Sequence, residues 1–546
     1  MAAEALLDEL KDPTCYGEGV RAVQIVQTHL SVVCLADELV FKLKKATTLP
    51  FVDFAPLANR RQACRDEVRL NRRLCPDVYL GTAALRRVDG ALRFMAIGDD
   101  DDPQDLDVAV VMRRLPQDRM LDELVGRGDV DPDQLRELAD VVARFHQRAE
   151  RGPEVAKLGD PERLAGFARD NFDELADVQG ADLHGPLLAA TRRASEAAFA
   201  ARLPLLRARA GRGCVVDGHG DLHARNVCMT TPPTIYDCIE FEPAFRCGDV
   251  ATEVAFLVMD LRYRGADQLA RTFVRSYVAA SGDDELATLL PLLCSYRAMV
   301  RGKVAAFAAA EPELPADERS GARRSTHRHL QLAAGCLLEA GPPRWIVVCG
   351  PPASGKSVLA RGLADACQWP HVATDVERKR LAGLQPTERA AAEHYTAAFS
   401  QRTYERVFAT AAEALSGESL SRESLSAEHR AVLLDGNFAT RAQRREAAAA
   451  ARRCGAELTF VHVQVDVATA VERAGQRAEA GTDSSDAGAE VTRQRHASFE
   501  PPGDDEGTVV RVDGSRRPER LADDALAALL DAAYADSGAD ERSARS

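Results

Sequence analysis

Residues 350–357, with the sequence GPPASGKS, have the types and the spacing that bind phosphate groups. They satisfy the P-loop pattern G-x-x-x-x-G-K-S/T, and they lie between an apolar, strand-like run at residues 345–349 and a helical pattern that begins near Ser357. Glycines let the backbone wrap closely around phosphates, while backbone N–H groups and a helix N-terminus supply positive potential. Because the two prolines have no N–H, the useful donors begin at Ala353.

Phosphoryl-transfer chemistry assigns roles within this segment. Lys356 is expected to reach the β- and γ-phosphates, and the Ser357 hydroxyl to bind Mg²⁺. The apolar run that ends at Asp435 predicts a buried strand whose last carboxylate binds the metal or its water, although a plain strand-end turn gives the same pattern. The motif thus predicts ATP and Mg²⁺ as cofactors. The residues expected to bind the nucleotide here are Gly350, Ala353, Ser354, Gly355, Lys356 and Ser357.

A second set of polar residues occupies positions 219–226, with the sequence HGDLHARN, and Asp237 follows eleven positions later. The frame H-x-D-x-x-x-x-N resembles the catalytic loop of protein kinases, with Gly where those enzymes carry Arg. In that chemistry the Asp accepts the proton of the attacking hydroxyl, and the Asn and the later Asp hold Mg²⁺. A hairpin predicted around residues 230–233 brings the two metal ligands together. We therefore predict Asp221 as the catalytic base and Asn226 and Asp237 as metal ligands.

Several motifs resemble the aminoglycoside phosphotransferase family. They are HGDLHARN, the following DCIEF (237–241) and GDVATE (248–253). Three further segments are similar to the N-terminal lobe of that family: THLS (28–31), VFKLKK (40–45) and EVRLNRRL (67–74). The chain as a whole resembles bacterial two-domain proteins that join an aminoglycoside-phosphotransferase-like domain to a P-loop ATP-binding domain. The resemblance covers nearly all of the chain apart from its two tails.

In the N-terminal lobes of such enzymes a strand lysine pairs with a helix glutamate and holds the α- and β-phosphates. The resemblance implies that Lys42 is this lysine and Glu67 its partner. Lys44, on the same face of the strand, and Asp66, next to Glu67, are the alternatives.

The resemblance also implies that the run VVMRRL (110–115) is the hinge strand that receives adenine, at Met112. One element of the family pattern is missing, because no G-x-G-x-x-G loop precedes the lysine strand. We expect another loop, near residues 29–31, to cover the phosphates.

The segment DVERKR (375–380) is similar to the one after the second strand in small-molecule P-loop kinases, such as shikimate, gluconate and chloramphenicol kinases, and in polynucleotide kinases. There an acid contacts the hydroxyl that is phosphorylated, and a nearby Arg grips the substrate. The resemblance implies Asp375 as the hydroxyl-orienting base and Arg378 as the substrate-binding residue. A helix N-cap followed by a solvated basic face is the alternative.

Arg473 and Arg477 lie at positions i and i+4 of a helical pattern and precede a polar stretch at residues 482–488. This arrangement resembles the lid of nucleotide and small-molecule kinases, in which arginines neutralise the transferring phosphates and so bind the nucleotide. Solvent-exposed helix charge explains the same pattern equally well.

Two kinds of fold must position these residues. Up to about residue 110 the sequence predicts paired strands at residues 30–35 and 39–43 and one helix at residues 61–75. Helical patterns then dominate, and beyond residue 345 short apolar strands alternate with helices, as in a parallel sheet. The predicted fold class is α/β and α+β multidomain: a protein-kinase-like bilobal domain followed by a P-loop NTPase domain with a mostly parallel sheet.

The sequence AGPP at residues 340–343 predicts the junction between these domains. We expect a kinase-like domain over residues 1–340, a P-loop domain over residues 341–535 and a disordered tail over residues 536–546. A small tandem repeat, ESLS at Glu418 and Glu423, is interpreted as a surface-loop insertion.

Composition excludes several classes of function. The 546-residue chain has a formal net charge of −14, which argues against non-specific binding to nucleic acid or anionic lipid. The sequence has no apolar run long enough to cross a bilayer, and acids stand at its start where a secretory signal carries basic residues. The 13 cysteines form no ligand or disulfide spacing, which fits a reducing compartment. We expect a cytoplasmic protein that takes a small-molecule hydroxyl substrate, without nucleic-acid or membrane partners.

Together these patterns predict an ATP-dependent phosphotransferase with two ATP·Mg sites. Each would transfer the γ-phosphoryl group to a hydroxyl of a small polar metabolite that is sugar-like, aminoglycoside-like or nucleoside-like. Two alternatives stay open: a polynucleotide 5′-hydroxyl kinase in the second domain, which the acidic charge disfavours, and a protein in which nucleotide binding drives regulation. The patterns specify neither the acceptor nor the oligomeric state.

Overall fold

The computed structural model describes residues 6–49, 52–98, 101–178, 183–385, 388, 390–416, 429–480 and 489–535. Contacts between these residues divide the chain into two units. The first unit comprises Met1–Leu164 and Leu205–Asp283, and the second comprises Ala165–Pro204 and Asp284–Ser546.

The first unit begins with a six-stranded antiparallel sheet in the order β1-β2-β3-β8-β6-β7. One helix, α1 (Leu57–Asn71), packs on it. The predicted strand pair is present, although the helix begins four residues before the predicted start because Pro56 marks its N-terminus. The six strands of this sheet are β1 (Val23–Gln27), β2 (Ser31–Ala36), β3 (Leu39–Lys44), β6 (Tyr79–Val88), β7 (Ala91–Phe94) and β8 (Asp107–Arg113). Two short strands, β4 (Thr48–Leu49) and β5 (Val52–Asp53), pair only with each other among the described residues.

The alternation of side chains along β3 separates two cores. Phe41 packs in a cluster with Leu10, Tyr16 and Leu85, on the face covered by the N-terminal segment. Val40 packs in a second cluster, on the face covered by α1. Because successive side chains of a strand point to opposite faces, Lys42 and Lys44 share the face of Val40 and point towards α1.

The rest of the first unit is mainly helical. The segment between β9 and β10 carries the predicted catalytic loop, and β10 and β11 form the hairpin that the sequence predicts. Helix α8 is mostly apolar, and its residues from Val250 to Arg262 are all buried. The elements are α2 (Leu121–Arg127), α3 (Pro132–Arg148), α4 (Pro153–Leu158), α5 (Pro161–Asp177), α6 (Gly185–Gly211), β9 (Val215–Asp217), β10 (Val227–Cys228), β11 (Thr234–Ile235), α7 (Pro243–Arg246), β12 (Cys247–Asp249), α8 (Val250–Tyr263) and α9 (Asp267–Ser281), with most of α5 and α6 counted in the second unit.

The second unit contains a sheet of five parallel strands in the order β14-β15-β13-β16-β17. This sheet confirms the predicted parallel fold of the P-loop domain. The elements are α10 (Leu286–Ala310), α11 (Ala316–Glu339), β13 (Arg344–Cys349), α12 (Lys356–Cys367), β14 (His371–Ala373), α13 (Thr374–Leu381), α14 (Ala397–Ser416), β15 (Ala431–Asp435), α15 (Arg441–Arg453), β16 (Glu457–Gln464), α16 (Val467–Ala480), α17 (Ala489–Ala497), β17 (Thr508–Asp513) and α18 (Pro518–Ala533).

The predicted junction near residue 340 lies inside the second unit, because α11 packs on the P-loop domain. The imidazole of His327 and the amide of Gln331, both on α11, each lie 2.9 Å from the buried Asp523 carboxylate of α18. Helix α12 approaches α11 so closely that a Cβ on Gly335 would lie 2.6 Å from the sulfur of Cys367. The pair α10–α11 thus belongs with the sheet that follows it.

Three features of the sequence lie outside the described residues: the tandem repeat at Glu418 and Glu423, the polar stretch at residues 482–488 and the tail from residue 536. Within the described ranges, none of the helices combines the length and the apolar character that crossing a membrane requires.

A fragment that begins at residue 284 should therefore be more stable than one that begins at residue 341. The shorter fragment opens the α11-facing surfaces of α12 and α18 to water, and burial of one large apolar side chain alone contributes about 1.5–3 kcal/mol. We expect urea unfolding, followed by circular dichroism, to give fragment 284–546 a free energy of unfolding at least about 2 kcal/mol higher than that of fragment 341–546. Equal unfolding curves would instead mark residue 340 as a true domain boundary.

Candidate active sites

The side chain of Lys42 joins three elements of the first unit. Its ammonium lies 2.9 Å from Glu67 Oε1, on α1, and 2.6 Å from Asp237 Oδ1, just after β11. Lys44 contacts the other oxygen of Glu67 and also Glu240, and its side chain is 2% exposed, against 16% for Lys42. Of the two candidate lysines, Lys42 is thus the one that reaches Asp237. The alternative partner Asp66 instead pairs with Arg69 on the surface of α1.

Opposite charges keep this cluster ionised although it is buried. Burial disfavours the charged form of Glu67, but the two lysines outweigh it and lower the pKa of this carboxyl to about 2. Burial likewise opposes the charge on Lys42, and Asp237 and Glu67 outweigh it and raise the pKa of the ammonium well above 10.5. A permanent cation therefore lies beside the Asp237 carboxylate, an arrangement suited to binding phosphate.

The predicted base and metal ligands lie on adjoining turns. Asn226 Nδ2 donates to Asp221 Oδ2 at 3.0 Å, and His223 Nε2 lies 3.3 Å from the same oxygen. The N–H of Tyr236 donates to the Asn226 carbonyl at 3.0 Å, so the residue before Asp237 faces Asn226 across the hairpin. Asp237 itself has a φ of 64°, an uncommon left-handed conformation for a residue other than Gly.

A buried glutamate that the sequence did not single out supports the catalytic loop. Glu253, on α8, accepts hydrogen bonds from the N–H groups of His219 and Gly220, the latter at 2.8 Å. Its other oxygen lies 2.9 Å from His146 Nε2, and the second ring nitrogen of His146 lies 2.7 Å from the Tyr277 hydroxyl. Burial opposes ionisation of Glu253, but its contacts with His146 and His219 and the hydrogen bond from the Gly220 N–H lower its pKa to about 2. Helix α8 carries two acids, Glu253 and Asp260, among mostly apolar residues, and no local feature of the sequence distinguishes the one that supports the loop from the other.

The two remaining predictions in this unit concern the nucleotide. Met112 lies on β8 opposite Val40 and packs in the apolar cluster of the α1 face, with Val40 and Tyr236 beside it. Its contact with adenine stays a prediction. The loop expected to cover the phosphates is a tight turn between β1 and β2, closed by a 2.9 Å hydrogen bond from the N–H of Thr28 to the Ser31 carbonyl.

The P-loop of the second unit connects β13 to α12, as its sequence predicts. Ala353 and Gly355 both have left-handed φ values, of 63° and 99°, which turn the chain into a cradle before the helix begins at Lys356. Ser354 is fully buried, and its hydroxyl has no hydrogen-bond partner among the described residues. Asp435 Oδ1, at the end of β15, is also buried and without such a partner. Both atoms fit a site that holds a polar ligand.

The predicted acceptor residues of this unit lie on one helix. Asp375 is exposed in the first turn of α13, two residues beyond Ala373, which pairs with Asp435 across β14 and β15. Arg378 is buried one turn later, where it donates to the His394 carbonyl at 2.8 Å and stacks on the Tyr395 ring at 4.8 Å. The carboxyl ends of parallel strands are where such sheets bind ligands.

Arg473 contacts a turn that lies against the P-loop. Its guanidinium donates to the Gly514 carbonyl at 2.8 Å. A Cβ on Gly514 would overlap the Ser354 carbonyl oxygen and lie 2.9 Å from Val463. Arg473 thus lies beside the predicted phosphate site, while the side chain of Arg477 is outside the described residues. Gly514 was not predicted, although the turn sequence Asp-Gly-Ser marks it.

Both units carry donor sets that suit magnesium in a nucleotide site, where Mg²⁺ ordinarily takes one or two protein ligands together with phosphate oxygens and water. Asn226 and Asp237 supply such a set in the first unit, and Ser357 and Asp435 in the second. Across the described ranges, His, Cys, Asp and Glu side chains form no group of three or more arranged to hold a metal ion.

Comparison with known proteins defines the class. The phosphotransferase enzyme family matches residues 36–289, and an AAA domain family matches residues 346–502. Uncharacterized proteins of Mycobacterium tuberculosis and Mycobacterium bovis are each 34% identical to this chain over 362 residues, which is 66% of this chain and 68% of the relative. The protein belongs to the same family as these mycobacterial relatives, and it joins a phosphotransferase-family domain to a P-loop domain.

Solved structures are similar to each part. A gluconokinase from Sinorhizobium meliloti is 21% identical, with a TM-score of 0.25, over 34% of this chain and 91% of that one. The aminoglycoside 2′-phosphotransferase-IIIa, solved as its GDP complex, is 14% identical, with a TM-score of 0.36, over 57% of this chain and 94% of that one.

The family matches confirm the predicted family and fold class: a kinase-like domain followed by a P-loop kinase domain. They make the protein a kinase-type enzyme that uses ATP.

Gly514→Ala should displace the P-loop, because the new methyl group overlaps the Ser354 carbonyl. We expect the dissociation constant of AMP-PNP at the second unit to rise about tenfold or more, which corresponds to about 1.4 kcal/mol. Calorimetry measures this dissociation constant in a full chain that also carries Asp237→Ala, which is expected to weaken binding at the first site. The matched control is Gly362→Ala on α12, whose Cβ meets only Ala522, at 3.8 Å. Equal AMP-PNP affinities of Gly514→Ala and Gly362→Ala would show that the close approach of Gly514 to the Ser354 carbonyl does not affect nucleotide binding.

Proposed function

We propose that the protein is a phosphotransferase with two ATP·Mg sites, each of which transfers the γ-phosphoryl group to a hydroxyl of a small polar metabolite. The observation that carries this proposal is the position of the Lys42 ammonium between Glu67 and Asp237, beside the loop of Asp221 and Asn226. A cation for phosphate, a base and two metal ligands are the parts that phosphoryl transfer to an alcohol requires.

In the first site, Lys42 binds the α- and β-phosphates, and Asn226 and Asp237 hold Mg²⁺, which neutralises charge on the phosphate oxygens. Asp221 orients the acceptor hydroxyl and accepts its proton. The hydroxyl oxygen then bonds to the γ-phosphorus as the bond from that phosphorus to ADP breaks. Asn226 fixes the Asp221 carboxylate through its 3.0 Å hydrogen bond, which is a positioning contribution.

In the second site, the backbone N–H groups from Ala353 onward and Lys356 surround the phosphates, while Ser357 and Asp435 hold the metal. Arg473 adds positive charge beside the loop. Asp375 orients the acceptor hydroxyl, and Arg378 binds the acceptor. Because the fold already holds the positive groups of Lys356 and Arg473 in place, they can stabilise the charge that develops on the phosphate during transfer without the rearrangement that water would need.

The acceptor is proposed to be small and polar, such as a sugar, an aminoglycoside-like molecule or a nucleoside-like molecule. The net charge of −14 supports a partner other than nucleic acid. The cysteines in the described part of the chain form no disulfides with one another, which supports the cytoplasm as the place of action.

Two variants separate the roles in the first site. In a full chain that carries Lys356→Ala, Asp221→Asn should keep nucleotide affinity but lower transfer about a hundredfold or more, because it removes the base. Asp237→Ala should instead weaken Mg·ATP binding. The measurement is a screen of phosphoryl transfer from ATP to sugars, aminoglycosides, nucleosides and 5′-hydroxyl oligonucleotides, with calorimetry of AMP-PNP binding. Asp129→Asn, an exposed carboxylate paired only with Arg127, is the control. Wild-type transfer by Asp221→Asn would refute the assignment.

Two further variants test the second site, in a chain that carries Asp221→Asn and Asp237→Ala, so that transfer and nucleotide binding at the first site are both expected to be weakened. Lys356→Ala should abolish transfer and ATP hydrolysis at this site, because it removes the charge that binds the phosphates. Asp375→Ala should block transfer to the acceptor while nucleotide affinity changes by about 1 kcal/mol or less. Calorimetry with AMP-PNP distinguishes the two, with Asp365→Ala on the exposed face of α12 as the control. If Asp375→Ala loses the nucleotide as Lys356→Ala does, Asp375 is a metal or structural residue and Asp435 takes its place.

A further inference from the structure

The first site contains a second lysine that the phosphotransfer mechanism does not use. The side chain of Lys44 is 2% exposed, and a buried ammonium group is costly unless it is fully paired. Its two partners are Glu67 and Glu240, whose side chains are 0% and 6% exposed. A charge this deeply buried, with two buried carboxylates, is a built feature of the fold rather than a surface ion pair.

Glu67 connects the two lysines, since one of its oxygens contacts Lys42 and the other contacts Lys44. An unbroken chain of charge contacts therefore runs from Lys42 through Glu67 and Lys44 to Glu240. Its far end, Glu240, lies three residues after Asp237 in the sequence. The chain of contacts thus reaches both the phosphate lysine and the segment that carries the metal ligand.

The segment after β11 is held at every backbone amide from Asp237 to Ile239. The N–H of Asp237 donates to the Tyr79 hydroxyl at 3.2 Å, and that of Cys238 donates to Asn71 Oδ1 at 2.9 Å. The N–H of Ile239 donates to the His219 carbonyl at 3.1 Å. Contact between Lys44 and Glu240 adds the side-chain anchor at the end of this segment. Such anchoring is needed because Asp237 adopts a left-handed conformation that an isolated chain disfavours.

We propose that Lys44 and Glu240 are a positioning pair that sets the Mg²⁺ affinity of the first site. Glu240 fixes the segment on which Asp237 lies. Lys44 also neutralises the second oxygen of Glu67, so that the Lys42 ammonium remains shared with Asp237 instead of being drawn to Glu67 alone. This inference rests on the proposed function, in which Asp237 holds the metal.

The test removes both charges of the pair at once, because Lys44→Met alone would leave the buried Glu240 carboxylate without the lysine that it contacts. The double variant Lys44→Met/Glu240→Gln is made in the full chain with Lys356→Ala, so that the first site dominates nucleotide binding. Calorimetry of AMP-PNP binding over a series of Mg²⁺ concentrations gives the Mg²⁺ midpoint, which is the Mg²⁺ concentration at which half of its effect on nucleotide binding is reached. We expect this midpoint to rise about tenfold or more, as for other groups that orient a metal ligand.

A metal-free measurement accompanies it. Hydrogen exchange of the amides of Asp237, Cys238 and Ile239, without nucleotide or Mg²⁺, should be faster in the double variant. The matched control is Lys45→Met, at the half-buried lysine that directly follows β3. Because Lys45 is not part of the pair, Lys45→Met should leave both the Mg²⁺ midpoint and the hydrogen-exchange rates unchanged.

The variant Asp237→Asn distinguishes a failure of the positioning proposal from a failure of the proposed function. If Asp237→Asn raises the Mg²⁺ midpoint and the double variant does not, the positioning proposal is wrong and the proposed function stands. If Asp237→Asn leaves the midpoint unchanged, the metal assignment and the proposed function of this site both fail. Should circular dichroism show the double variant unfolded, Glu240→Gln replaces it, because the amide keeps the size of the side chain but removes the charge that pairs with Lys44. A midpoint within error of the parent chain would then overturn the proposal.

Discussion

The first unit depends on one constraint, the neutralisation of two lysines that β3 directs into the space beneath α1. A period of two residues places Lys42 and Lys44 on the same face as Val40, and a buried ammonium costs several kcal/mol unless carboxylates surround it. Glu67 satisfies part of this need from α1. The rest must come from the segment after β11, which supplies Asp237 and Glu240. Charge balance thus holds the segment of Asp237 and Glu240 against the sheet.

The second unit solves the same chemical problem without buried counter-charge. Its predicted phosphate site would use backbone N–H groups at the start of α12, where the helix dipole supplies positive potential. Such a site requires space rather than charge balance. Glycine at position 355 allows the left-handed turn, and glycine at position 514 lets β17 end against the Ser354 carbonyl. The two predicted phosphate sites therefore differ, since the first depends on ion pairs and the second on the shape of the backbone.

Local patterns predicted much of this, and long-range contacts account for what they missed. The P-loop, the paired strands β2 and β3 and the parallel sheet follow from spacing and periodicity within short windows. The family resemblance favours Lys42 over Lys44 and pairs it with Glu67, but it does not predict the contact of Lys42 with Asp237, which lies 195 residues away. The roles of Glu253 and Glu240 could not be derived in this way. Each depends on a partner brought close by the tertiary fold, which no local pattern encodes.

The placement of α10 and α11 follows from the same distinction. A Pro- and Gly-containing stretch at residues 340–343 resembles a linker, yet the phosphotransferase family match ends at residue 289 and the first unit at Asp283. The helices after these positions pack on the P-loop domain through the buried Asp523 and through Gly335, which touches Cys367 at the C-terminal end of α12. Lys356 stands at the other end of that helix. Because α11 contacts α12 at Cys367, it helps to fix the orientation of the helix whose first turn is expected to bind phosphate.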